Sequence, residues 1–114
     1  MPHLRFSGLE QNQLQAISKP LVDDLAKLID CPRDHFTLEH LSVRFIFDGQ
    51  LDANGYPAID VYWFDRGQVI QDQIARIITH TVRDALQDKA LDICVRFNAI
   101  KRHRYYENGE HFRK

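Results

Sequence analysis

Proline stands at position 2, directly behind Met1 and at the head of the run Pro2-His3-Leu4-Arg5-Phe6. If Met1 is trimmed, Pro2 becomes a chain terminus carrying a secondary amine. Terminal amines titrate at roughly 7.7 to 8.0. Burial or nearby cations lower that value, toward the pH at which a general base works best. With Met1 retained, the same nitrogen is an amide and not a base. Taken alone, a proline in second place is also an ordinary neighbour of a start codon, so the rest of the chain has to support the chemical reading.

Few other residues offer competing chemistry. Histidines at 3, 35, 40, 80, 103 and 111 form no HxxxH or HExxH pair, and Cys31 and Cys94 lie far apart without a CxxC partner. A metal site is therefore not expected, no cofactor motif is present, and the cysteines read as reduced thiols. His40, between Glu39 and Leu41, reads as a half-buried structural histidine; His3 reads as an outward-facing strand residue that could tune an adjacent amine. The basic run Lys101-Arg102-His103-Arg104 reads as a solvated or salt-bridging loop, because four cations neutralise few phosphates.

These residues need elements to hold them. Leu14, Ile17, Leu21, Val22, Leu25, Leu28 and Ile29 follow the three-and-four spacing of an amphipathic helix over 11–30, ended by Cys31-Pro32. Pro20 inside it predicts a kink or a later start. Ile70, Ile74, Ile77, Ile78, Val82, Ala85 and Leu86 repeat the stripe over 68–87. A shift of 57 positions matches Leu4 to Val61, Phe6 to Trp63, Ile17 to Ile74, Leu21 to Ile78, Leu25 to Val82 and Ile29 to Leu86. Alternating strands follow each helix, Leu41, Val43, Phe45 and Phe47 in the first half and Ile93, Val95, Phe97 and Ala99 in the second, at an offset of 52.

The reading is an α+β fold: two βαβ units related by a pseudo-twofold, sharing one four-stranded mixed sheet with both helices on one face. The repeats span about 2–47 and 57–100 of a single domain over 1–114, with a turn-rich connection at 48–55 and a C-terminal tail at 101–114; Trp63-Phe64 closes a strand of the second repeat and anchors its helix. Alternation puts Arg5, Arg44, Asp60, Tyr62 and Arg96 on the other face of the sheet, a mixture that suits packing against further subunits or a half-exposed surface. Formal charge is −1, from 15 basic and 16 acidic residues, so no net field favours nucleic acid or membrane. With no leader and no run of 18 apolar residues, the expected location is cytoplasmic.

The terminal proline at the start of strand one, the doubled βαβ and the lack of a cofactor motif together resemble the tautomerase superfamily. The whole chain is similar in length and order to macrophage migration inhibitory factor and 5-carboxymethyl-2-hydroxymuconate isomerase, and each half to a 4-oxalocrotonate tautomerase subunit. Trp63-Phe64-Asp65-Arg66-Gly67-Gln68 and Tyr105-Tyr106-Glu107-Asn108-Gly109-Glu110-His111-Phe112 resemble an uncharacterised bacterial branch of it. The resemblance implies a homotrimer with Pro2 as catalytic base and a small-molecule carboxylate as substrate. It implies Arg66 and Arg96 as substrate-binding cations and Tyr105 or Tyr106 as a pocket aromatic. The lysine that follows the first helix in migration inhibitory factor is replaced by Cys31-Pro32-Arg33, where Arg33 is a loose substitute.

Keto–enol tautomerisation of an unsaturated or 2-oxo acid is the activity so implied. Two alternatives stand beside it: a catalytically inactive trimeric structural protein of the same fold, and a ferredoxin-like binding module, which shares the βαββαβ order but whose RNA-binding aromatic run is absent.

Overall fold

A computed structural model describes residues 1–52 and 55–112 of the chain; Ala53 and Asn54 of the turn-rich connection, and Arg113 and Lys114 of the tail, lie outside the described residues. Its elements are β1 (His3–Ser7), α1 (Gln11–Ile29), a 3₁₀ turn (Arg33–His35), β2 (Thr37–Leu41), β3 (Ile46–Phe47), β4 (Gln50–Leu51), β5 (Ala58–Trp63) and α2 (Gln68–Leu86). Then come β6 (Cys94–Ala99), a second 3₁₀ turn (Arg102–Arg104), β7 (Tyr106–Glu107) and β8 (Glu110–His111).

Four strands form the main sheet in the order β2-β1-β5-β6. β1 pairs with β2 in parallel and with β5 antiparallel, and β5 pairs with β6 in parallel. Each βαβ unit thus keeps its two strands adjacent. The ferredoxin-like alternative, a split βαβ, would separate them.

Leu4 lies opposite Val61, the residue 57 positions on, so the pseudo-twofold passes between them. Both helices cover one face of the sheet. Leu4, Phe6, Ile59, Val61 and Trp63 meet Leu14, Ile17, Leu21, Leu25, Ile74, Ile78 and Val82 in one buried cluster. Fully burying each such side chain contributes about 1.5–3 kcal/mol before the entropy of ordering it. α1 runs unbroken through Pro20, which sits on its exposed side. No helix among the described residues is long and apolar enough to cross a membrane.

The second strand of the first half differs from the sequence expectation. It is Thr37–Leu41, not the alternating apolar run at 41–47. The register makes the offset 59 rather than 52: His3 pairs with Thr37, and its counterpart Asp60 with Arg96. Arg44 accordingly lies outside the sheet, exposed. Ile46 to Leu51 instead form a hairpin turning at Asp48 and Gly49, both with positive φ. The C-terminal segment repeats that hairpin 60 positions later, with β7 and β8 turning at Asn108 and Gly109. Asp-Gly and Asn-Gly are the pairs such two-residue turns favour. The repeat unit therefore reaches past residue 100 and takes in most of the tail.

Candidate active site

The Pro2 carbonyl accepts the Thr37 backbone N–H at 3.1 Å, which pins the chain start beside the start of β2. Pro2 is buried and Met1 half-buried. A cleft of about 270 Å³ opens around them, walled by the end of α1, Trp63, Phe64, Arg66, Arg102 and Phe112.

Arg66 enters from the loop between β5 and α2. There Asp65 Oδ1 accepts the Gly67 N–H at 2.8 Å, and Gly67 adopts φ 95° to start the helix. Arg66 Nη1 donates to the Ile29 carbonyl at 2.6 Å. Carbonyls at a helix C-terminus lack helical partners, so this bond ties the second half's loop to the first half's helix. The rest of the Arg66 fork has no partner among the described residues and can take an anion through paired N–H groups.

Cys31, on the same cleft, is half-buried. Burial pushes its thiol above the ordinary range; Arg66 and the amino terminus pull the other way, and Asp30 adds to the rise. The thiol stays protonated at neutral pH and is a poor nucleophile.

A second cleft of about 530 Å³ adjoins the first and shares Met1, His35 and Phe112 with it. Its wall is the helix-free face of the sheet, where Glu39 Oε1 accepts from Arg5 Nε at 2.8 Å and from His3 Nε2 at 2.9 Å. A carboxylate only accepts, so Nε2 carries the proton. The Arg5 guanidinium lies 5.3 Å from the Tyr62 ring centroid.

Tyr105 lines this second cleft and packs edge-on against Phe64 and Phe112, at 5.5 and 4.9 Å between centroids, while the Arg102 guanidinium covers Phe64 at 4.5 Å. Trp63 and Phe64, assigned from the sequence to anchoring the second helix, thus also build the Pro2 cleft.

The remaining sequence candidates lie elsewhere in the chain. Arg96 binds Asp60 through both oxygens, at 2.8 and 3.0 Å, and lines a separate cleft of about 360 Å³ with Tyr56 and Cys94. Tyr106 is exposed on β7, meets the His111 ring edge-on at 5.7 Å and lines neither Pro2 cleft. Arg33 is turned away, with Nε on Asp23 at 2.6 Å. His40 donates to the Leu9 carbonyl at 2.7 Å, the structural role expected of it.

One chain therefore brings Pro2 and Arg66 into one cleft and Tyr105 into the next. His35, Arg102 and Phe112 join them without a signal in the sequence, since each depends on a turn or hairpin that periodicity does not reveal.

Residues 1–111 match the model of a family described as "Domain of unknown function (DUF1904)". The crystal structure of such a domain from Sebaldella termitidis is 35% identical, with a TM-score of 0.88 over 98% of this chain and 100% of that one. A structure described as "F6 fused 4-OT wild type asymmetric trimer" superimposes with a TM-score of 0.81 at 13% identity, covering 96% and 94%. A macrophage migration inhibitory factor homologue from Prochlorococcus marinus does so with 0.75 at 15%, covering 97% of each chain. None of the curated proteins compared with the chain matches it. The fold is that of the tautomerase superfamily.

Proposed function

The chain belongs to the DUF1904 family, and on that footing we propose that it is a cofactor-free tautomerase whose Pro2 amine, freed of Met1, is the general base in keto–enol tautomerisation of a small unsaturated or 2-oxo acid. The observation that carries this reading is the meeting of Pro2 and Arg66 in one cleft of a tautomerase-type fold. From keto to enol, neutral Pro2 removes the proton next to the substrate carbonyl while the carbonyl oxygen gains one, and in ketonisation the protonated amine returns a proton to carbon as the enol oxygen gives one up. Arg66 binds the carboxylate and, with Arg102, supplies positive charge that favours a neutral amine at the terminus. Removal of Met1 has two effects: it turns an amide into an amine, and it vacates volume in both clefts, which Met1 lines.

We assign Tyr105 to the pocket wall. Arg96 takes part through a neighbouring subunit, as a substrate-binding residue of a homotrimer, and Tyr105 rather than Tyr106 is the pocket aromatic. The trimer is supported by the trimeric assembly of the fused 4-OT structure and by the apolar residues the chain leaves exposed. The second reading, a non-catalytic trimer of the same fold, requires Met1 to stay attached, because the Pro2 nitrogen is then an amide and not a base.

The test is ketonisation of phenylenolpyruvate and 2-hydroxymuconate by Met-free protein and its Pro2→Ala variant. A loss of about 10²-fold or more in kcat is expected on substitution, the range of a positioned general base. Equal rates in both would remove Pro2 from the mechanism. N-terminal mass spectrometry of protein from its native cell separates the readings, since an intact Met1 supports the non-catalytic one.

A further inference from the structure

We infer that His35 is the side chain that meets the substrate oxygen across the cleft from Pro2 and exchanges a proton with it. The chemistry rests on the tautomerase reading, but the placement stands on geometry.

His35 closes the 3₁₀ turn, where its own N–H donates to the Pro32 carbonyl at 3.1 Å and the next N–H, of Phe36, donates to Arg33 at 3.2 Å. Phe36 is buried and anchors the turn. Two residues on, Thr37 donates to the Pro2 carbonyl and pairs in register with His3. This parallel register sets His35 beside the chain start.

Of the residues common to the two clefts, Met1, His35 and Phe112, only His35 has a side chain that exchanges protons near neutrality. Other polar groups around Pro2 are committed or unsuited. Arg66 holds the Ile29 carbonyl with Nη1 and has the rest of its fork assigned to the substrate carboxylate, Arg102 covers Phe64, burial keeps the Cys31 thiol protonated, and Asp30 as a carboxylate repels an enolate. Arg33 is spent on α1, with Nη2 on the Lys19 carbonyl at 3.4 Å besides its bond to Asp23. The His35 imidazole has no partner among the described residues.

From enol to keto, the imidazole accepts the enol hydroxyl proton as the C–O bond becomes a carbonyl, and the C=C electron pair takes a proton from the Pro2 ammonium. In reverse, the imidazolium returns a proton to oxygen while neutral Pro2 removes one from carbon. Both groups re-equilibrate with water between turnovers.

Oxalate, whose vicinal oxygens mimic the enolate of a 2-oxo acid, is the probe, read by NMR of the histidine rings in Met-free protein. Oxalate is expected to move the His35 ring resonances in both the parent and the Pro2→Ala protein, and to bind His35→Gln about tenfold more weakly, as expected for loss of one charge-assisted hydrogen bond. In turnover, His35→Gln is expected to lower kcat about 10²-fold with KM within about threefold. An unmoved His35 resonance, or a variant equal to the parent in oxalate affinity and kcat, overturns the assignment. If oxalate moves His35 while no enol is turned over, the placement stands and the tautomerase reading falls. If turnover depends on Pro2 while His35 is silent, the reverse holds.

Discussion

Glu39 shows how single side chains set the ground on which Pro2 stands. Its carboxylate is shared by Arg5 and His3, and His3 is the residue next to Pro2. Hydrogen bonds from Arg5 and then His3 hold the Glu39 carboxyl below the usual carboxylate range against the opposing effect of burial. A carboxylate with a depressed folded pKa contributes stability that is present above its unfolded value, about 4.3, and lost as pH falls through the folded value. Thermal melts across the acid range check this directly. Glu39→Gln is expected to melt lower than the parent near neutrality and to lose less as pH drops below about 4, so the two curves converge. A gap that stays constant with pH would show that Glu39 titrates freely. The half-exposed position keeps the effect small, because solvent screens exposed pairs.

At the scale of elements, each strand-to-helix loop turns on a glycine with positive φ, Gly8 at 83° and Gly67 at 95°, but the two sit in different surroundings. A Cβ on Gly67 would meet nothing within 4 Å; on Gly8 it would lie 2.7 Å from the Tyr56 carbonyl oxygen and 2.8 Å from Pro57 Cα. Gly67, at φ 95° and ψ 164°, lies in a region essentially reserved for glycine, so Gly67→Ala is expected to cost that backbone strain alone, about 1–3 kcal/mol. Gly8→Ala should cost at least about 1 kcal/mol more, because backbone must shift. Urea unfolding at one protein concentration measures both, and equal losses would show that the β1 loop yields without strain. The helices, β1, β5 and β6 were legible in the sequence because each has one face in the core, and the period of burial is the period of the element. β2 was not: in Thr37-Leu38-Glu39-His40-Leu41 the polar face carries the Glu39 network and His40 caps a loop, which breaks the alternation. The alternating run after it mimics a buried strand while leaving Val43, Ile46 and Phe47 exposed. For the candidate site, Pro2 was proposed from its position and Arg66 through the family resemblance, whereas His35 carried no signal because its place follows from the β1–β2 register.

The molecule as a whole is more extended than its length requires. Its radius of gyration is 15.2 Å and its extents are 48 × 29 × 26 Å, whereas a compact chain of this size has about 13 Å. Two short hairpins lie outside the main sheet, and they have diverged. The first exposes Ile46, Phe47 and Leu51 at 71, 69 and 72%, while the second carries Tyr106, Glu107, Glu110 and His111. Apolar exposure of that kind marks a surface that another chain covers. It continues through Leu41, Val43 and Tyr56 toward the cleft that holds Arg96, so in the proposed trimer the first hairpin is the arm that reaches a neighbour. The second stays with its own chain, where Phe112 donates its N–H to the Arg102 and Tyr105 carbonyls and closes the Pro2 clefts. Sedimentation velocity tests the division. Parent protein is expected to run as three chains, Phe47→Asp to shift toward single chains with loss of any Arg96-dependent turnover, and Tyr106→Asp to keep the parent mass. A Phe47→Asp protein that sediments as the parent would remove the first hairpin from the interface and leave the charged sheet face, with its His3, Arg5 and Glu39 cluster, as the surface that assembles.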